Sequence, residues 1–105
     1  MKVYIAGKIT GDTDYYAKFA LAERKIRDAG HIVLNPAKLP ERMRREDYMR
    51  ICFAMIDVAD EVWTLPSAHM SEGALLEIQY CDYIRKPVHA IALLSELKEE
   101  TQCND

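Results

Sequence analysis

The sequence predicts a single α/β domain, a three-layer sandwich in which helices cover both faces of a parallel sheet of four to five strands. Three observations predict it. Short apolar runs rich in strand formers alternate with longer segments of helical period along the chain. The strands are apolar nearly throughout instead of alternating, which suits strands buried on both faces. No repeat, low-complexity segment or linker interrupts the 105 residues, a length that fits one compact unit, so residues 1–105 are taken as one domain.

Each element follows from its residues. Val3–Ala6 is a strand ended by Gly7. Asp14–Ala29 is a helix, because Phe19, Ala22, Ile26 and Ala29 recur at three- and four-residue steps and Gly30 is a natural stop. Ile32–Leu34 is a second strand, closed by Asn35-Pro36, and residues 36–43 form a loop. Asp47–Ala59 is a second helix with Tyr48, Ile51, Cys52, Met55 and Ile56 on its apolar side. Glu61–Leu65 is a third strand, stopped by Pro66, and Ser71–Arg85 is a third helix. A fourth strand starts at Pro87 and runs towards Leu94, before a charged tail that frays or forms a short helix. This order suggests a flavodoxin- or Rossmann-like arrangement. Ligands of such sheets bind beyond the carboxyl ends of the strands, here at Gly7–Asp12, Asn35–Met43 and Pro66–Ser71.

Composition narrows the function classes. Half of the residues are apolar, 30% are charged and the net charge is −3, so nothing resembles the basic footprint of a nucleic-acid binder. The arginines at 42, 44, 45 and 50 are interleaved with Glu41, Glu46 and Asp47, as on a solvated face, though one of them could reach an anionic ligand. No apolar run approaches a membrane span and MKVYIAG lacks the pattern of a signal peptide. The expected setting is the reducing cytoplasm, with Cys52 and Cys81 as small core residues. His31, His69 and His89 have no metal-ligand spacing, so no metal is expected. A chain this short buries only roughly two thirds of its unfolded surface, so self-association is expected to add stability.

Two stretches carry candidate chemistry. In Gly7-Lys8-Ile9-Thr10-Gly11-Asp12 the glycines let backbone N–H groups approach an anion, beside Lys8 and Thr10; the plainer reading is a turn with Asp12 or Thr13 as N-cap. In Ser71-Glu72-Gly73-Ala74-Leu75-Leu76-Glu77, Ser71 is a good N-cap and the helix N-terminus is a ready anion seat. Glu77 is the only charge between Gly73 and Cys81, among Leu75, Leu76 and Ile78, which look like core. It lies one turn beyond Gly73, whose missing side chain leaves room for a ligand, and Tyr4 can orient its carboxylate. The plainer reading places Glu77 on a solvent face, but a glycine inside a helix needs a reason.

These residues resemble the nucleoside 2-deoxyribosyltransferase-like superfamily from Tyr4 to about Val88, within a branch of short bacterial and phage proteins. The matching elements are Tyr4-x-x-Gly7, Gly30-His31-x-Val33-x-Asn35-Pro36, Ile56-Asp57-x-Ala59-Asp60 and Ser71-x-Gly73-x-x-x-Glu77. The resemblance implies that Glu77 is the nucleophile that attacks C1′ of a deoxyribose, that Tyr4 positions it, and that no cofactor is needed. It also implies substrate contacts from Gly7, Lys8, Ile9, Asn35, Asp57, Ser71 and Gly73, and a homodimer or larger homo-oligomer in which Tyr80, Tyr83 and Ile84 offer an interface patch if they are not intrachain core. The transferases of the family carry Asp six residues before the nucleophile; Ser71 stands there, as in the 2′-deoxynucleoside 5′-phosphate N-hydrolases. With Lys8 in the phosphate-binding loop, this favours a nucleotide. The family's base-contacting Asp falls in the register of Cys52, and Asp57 lies five residues further on.

The expected activity is therefore cleavage or transfer of the N-glycosidic bond of a 2′-deoxynucleoside 5′-monophosphate or related nucleotide, through a glycosyl-Glu77 intermediate. The alternatives are a transferase of unphosphorylated nucleosides, a non-catalytic nucleotide-binding module, or an interaction protein whose pocket is filled by Met70 or Trp63. Partners beyond the small molecule, such as nucleic acid or membrane, are not expected.

Overall fold

The computed structural model describes residues 1–91; the predicted tail, and the end of the predicted fourth strand, lie outside them. The elements run β1 (Lys2–Ala6), α1 (Tyr15–Asp28), β2 (Ile32–Leu34), α2 (Arg45–Val58), β3 (Glu61–Thr64), α3 (Glu72–Ile84) and β4 (Val88–Ala90), with short 3₁₀ turns at Pro36–Lys38 and Pro66–Met70. Four strands are present among the described residues, all parallel, in the order β2-β1-β3-β4. The predicted α/β parallel fold is thus observed.

Side-chain alternation along β1 builds the two halves of the core. Val3 and Ile5 point to one face and pack with Phe19, Ala22 and Ile26 of α1. Tyr4 and Ala6 point to the other and pack with Cys52 and Ile56 of α2, Val62 of β3 and Cys81 of α3. A parallel crossover is right-handed, so reversing direction after β2 carries α2 and α3 to the face opposite α1. The chain leaves β1 towards β2 and leaves β3 towards β4. The loops after β1 and β3 therefore diverge, and a cleft opens between them.

The two 3₁₀ turns lie in segments expected to be loops. Each begins with a proline, whose fixed φ suits a first helical position. Helix α2 starts two residues earlier than its hydrophobic pattern suggests, because the Asp47 carboxylate accepts both the Arg44 backbone N–H and the Arg44 guanidinium, each at 3.2 Å. Helix α1 has Asp14 as its N-cap residue instead of Asp12 or Thr13; Asp12 Oδ1 accepts the Asp14 N–H at 2.9 Å and so holds the turn before it.

Gly7 is required by packing. A Cβ there would lie 2.9 Å from Leu65 Cδ1 and 3.1 Å from Phe19 Cζ. Gly7→Ala is expected to lower stability by about 1–3 kcal/mol through overpacking, read as a drop in the denaturant midpoint with an unchanged slope. An unchanged midpoint would mean that Leu65 moves aside freely.

Candidate active site

A cleft of about 750 Å³ lies beyond the carboxyl ends of β1 and β3. The loop after β1 supplies Gly7, Lys8, Ile9 and Thr10, the start of α3 supplies Ser71 and Gly73, and Cys52 and Glu77 also line it. Seven of the nine residues singled out in the sequence as site candidates are brought together. Six line the cleft and Tyr4 touches it through Glu77.

The start of α3 is built as its sequence suggests. Ser71 is the N-cap, and its Oγ accepts the Ala74 N–H at 3.2 Å. The Ser71 carbonyl accepts the Leu75 N–H. The remaining first-turn N–H groups, on Glu72 and Gly73, have no acceptor within the helix. The loop after β1 is held by Ser67, whose Oγ accepts the Lys8 N–H at 3.2 Å. That amide is therefore not available to an anion, and the loop's contribution rests on the Lys8 side chain and the later amides.

Helix α3 presents its residues in an unexpected sense. Leu75 and Leu76 are 42% and 51% exposed, whereas Glu77 is 7% exposed. Ala74, Glu77 and Cys81 share the inward face at three- and four-residue steps, so the small residues and the carboxylate turn to the sheet while the leucines turn outward. The solvent-face reading of Glu77 and the core reading of Leu75 and Leu76 are both corrected. Gly73, one turn before Glu77, leaves an opening: a Cβ there would meet only Met49 Sδ at 3.8 Å and Ser71 Oγ at 3.9 Å.

Glu77 Oε2 accepts a hydrogen bond of 3.0 Å from the Tyr4 hydroxyl, a buried contact across 73 residues of sequence. Burial pushes the Glu77 carboxyl up to about 7, against the lowering effect of hydrogen bonds from Tyr4 and the Cys52 thiol. Burial, then the neighbouring Glu77 charge, holds the Tyr4 phenol well above its ordinary value. Burial likewise pushes the Cys52 thiol up to about 11. No buried side-chain nitrogen or oxygen among the described residues lacks a partner. The same residues contain no cluster of His, Cys, Asp and Glu able to hold a metal ion, and no helix long and apolar enough to cross a membrane.

Two candidates lie elsewhere. Asp57 is exposed on α2 and accepts a 2.6 Å hydrogen bond from Tyr80. Five residues beyond Cys52 is about 140° around the helix, so it points away from the cleft that Cys52 lines. Asn35 is buried as a structural cap. Its Oδ1 accepts the Ala37 N–H at 2.9 Å and its Nδ2 donates to Glu23 at 3.0 Å. Glu23 is a residue that sequence reasoning missed. It is buried on α1 and also takes hydrogen bonds from Arg27 and Lys38, which pins the turn that forms the Pro36–Leu39 wall of the cleft. Its place one residue after Ala22 and three before Ile26, inside the apolar stripe, was the available signal. The rim residues Tyr15, Tyr48 and Met49 were missed as well, while Arg42 and Arg45, read from the sequence as a mainly solvated face from which one arginine could reach an anion, both line the rim. Arg45 pairs with Glu72 across the cleft mouth at 3.0 Å.

The pocket is not filled by Trp63 or Met70. Trp63 packs on the α1 face, between His31 and His89, and Met70 is exposed at the rim. Tyr80 stacks on Phe53 within the chain, while Tyr83 is 88% exposed.

Fold and site define a doubly wound α/β protein with a buried, hydrogen-bonded carboxylate at the sheet's switch point. Residues 1–90 match the family described as Domain of unknown function (DUF4406), and the chain belongs to that family. Among solved structures it is similar to a 2-deoxyribosyltransferase from the psychrotolerant bacterium Bacillus psychrosaccharolyticus. The TM-score is 0.65 at 20% identity, over 86% of this chain and 71% of that one. That likeness gives the chain a nucleoside 2-deoxyribosyltransferase-like fold. No curated protein sequence matches it.

Proposed function

We propose that the cleft binds a 2′-deoxynucleoside 5′-monophosphate or a related nucleotide and cleaves its N-glycosidic bond. The observation that carries this reading is the buried Tyr4–Glu77 pair, set one turn below the uncapped N–H groups at the start of α3. A carboxylate sealed this deeply costs stability when ionised, and in this place it offers a nucleophile aimed into the cleft. The phosphate sits against the α3 N-terminus, the Ser71 hydroxyl and Lys8. The deoxyribose lies over Gly73. A Glu77 oxygen attacks C1′ through an oxocarbenium-like transition state as the C1′–N bond breaks and its pair passes to the ring nitrogen, giving a glycosyl ester and a departing base that takes its proton from water in the cleft. Water or a second base then attacks C1′ and returns the carboxylate. Tyr4 holds the attacking carboxylate and stabilises its charge. The nucleoside 2-deoxyribosyltransferase-like fold supports a glycosyl-transfer type of chemistry. The Ser71 and Lys8 pair supports a phosphorylated substrate.

The test is release of free base from a panel of deoxynucleotides and deoxynucleosides, followed by chromatography. Release is expected with the wild type, preferentially from the 5′-monophosphates, and not with Glu77→Ala. No release by the wild type, or equal release by the variant, overturns the reading; tight binding without turnover would leave a nucleotide-binding module. Faster release from unphosphorylated nucleosides overturns the phosphate seat alone.

Gly73→Ala separates ligand room from fold. The new methyl makes only ordinary contacts, and alanine gains up to about 1 kcal/mol of helix propensity. Thermal stability is expected to hold or rise, while nucleotide affinity by calorimetry falls about 10-fold or more. Unchanged affinity would place the sugar elsewhere. A homo-oligomer accompanies this reading, supported by the outward apolar residues Leu75, Leu76 and Tyr83.

A further inference from the structure

The groups beside Glu77 bear on which leaving groups the site can release. Cleavage of a neutral nucleobase requires a proton on the departing ring, because the bonding pair otherwise leaves on an anionic nitrogen. A positioned general acid is typically worth about 10²–10⁴ in rate. The titratable side chains that border the Glu77 carboxylate are the Tyr4 hydroxyl and the thiols of Cys52 and Cys81. Tyr4 is committed to Glu77. Cys52 is the one of the three that also lines the cleft, on α2 with Tyr48 and Met49, and Leu39 lines it too and packs against the same buried cluster. Both Tyr4 and Cys52 hold their protons more tightly than in water.

The carboxyl groups lining the cleft other than Glu77 are Glu41, Glu46 and Glu72. All three are exposed. Glu72 is engaged by Arg45, and Glu41 accepts from the Tyr15 hydroxyl at 3.4 Å. These carboxylates, from the loop before α2, from α2 and from the start of α3, lie with Tyr15 of α1 and Tyr48 of α2 in the lining of the cleft, and together they supply what a flat cationic ring needs, aromatic side chains and negative charge at the edge. Arg42 also lines the rim and works against a cation there; Arg45 is offset by Glu72.

We infer that the preferred substrate class is a nucleotide with a cationic aglycone, a pyridinium N-glycoside 5′-phosphate, whose ring leaves without needing a proton, and that Cys52 sets this preference. The inference rests on the proposed N-glycosidase reading. The step balances without an acid. A Glu77 oxygen bonds to C1′, the C1′–N pair passes to the ring nitrogen, and the positive ring becomes a neutral pyridine. Water then bonds to C1′, the ester bond returns its pair to Glu77, and the water proton goes to solvent.

The experiment uses the full chain with matched 2′-deoxyribose 5′-phosphates bearing pyridiniums substituted over a range of leaving-group pKa, or adenine. The wild type is expected to release pyridines with a rate that falls steeply as leaving-group pKa rises, and to release adenine at least about 100-fold more slowly than the pyridine series predicts at equal leaving-group pKa. Cys52→Asp, which puts a carboxyl at the aglycone wall, is expected to raise adenine release relative to pyridine release by about 100-fold. A flat dependence on leaving-group pKa, or adenine falling on the pyridine line in the wild type, overturns the inference whatever the variant does. Glu77-dependent adenine release as fast as pyridine release would retain the N-glycosidase reading and overturn only the aglycone class. Release from neither substrate, with no adduct on Glu77 by mass spectrometry, overturns both.

Discussion

Replacing Glu77 by Gln is expected to abolish base release while making the protein more stable above neutral pH. Loss of a nucleophile costs about 10⁴-fold or more in turnover. The stability gain follows from proton linkage. In the folded protein burial lifts the carboxyl from its ordinary 4.5 to about 7, so between those values the folded chain binds a proton that the unfolded chain has released. The protonated form's contribution is full below about 4.5 and is lost as pH rises through about 7. At 1.36 kcal/mol per pH unit, the ionised carboxylate leaves the native state about 3 kcal/mol worse off at pH 8 than at pH 4.5. Gln keeps the shape and still accepts from Tyr4, but never ionises. Urea denaturation of both proteins at pH 5 and pH 8 reads this directly: near-equal midpoints at pH 5, a higher midpoint for the variant at pH 8. Equal midpoints at both would mean that the carboxylate is already solvated. The same ionisation governs the proposed chemistry, because only the carboxylate attacks. Wild-type kcat/KM for base release is expected to rise with pH through about 7.

Tyr4→Phe is expected to move that limb to higher pH. Burial raises the Glu77 value and the Tyr4 hydrogen bond opposes it. Removing the hydroxyl takes away a bond to a charged acceptor, worth about 1.5–3 kcal/mol. Activity at pH 7 falls by roughly 10- to 100-fold on that figure and recovers in part at pH 9, where the carboxylate is again ionised. A purely structural role for Tyr4 would lower stability and leave the limb where it is, so the pH profile decides between the two.

Both experiments depend on a contact that the sequence only suggested. Tyr4 and Glu77 are 73 positions apart, and what joins them is the parallel sheet: alternation along β1 turns Tyr4 towards the α2–α3 layer, and the inward stripe Ala74–Glu77–Cys81 turns the carboxylate to meet it. The sequence made the pair conceivable through a glycine one turn before a lone charge. It misjudged the helix that carries it, because Leu75 and Leu76 outweigh Ala74 and Cys81 on any hydrophobic scale, yet the face that is buried is the one bearing Ala74, Glu77 and Cys81. Asn35 and Asp57 failed for a similar reason. Each has a polar group that the folded chain uses for itself, one as a cap tied to Glu23, the other with Tyr80.

What the sequence determined by itself is local and periodic. The strand–helix alternation, the Ser71 cap, the stops at Gly30 and Pro66, and the loops that surround a cleft all follow from backbone preferences acting over a few residues. The tertiary structure alone decided which side chains face one another. It turned Glu77 inward, set Cys52 beside it, and made Glu23 the anchor of the cleft wall. These outcomes depend on how closely each helix approaches the sheet and on the angle at which it lies, and no residue carries that information in its immediate neighbours.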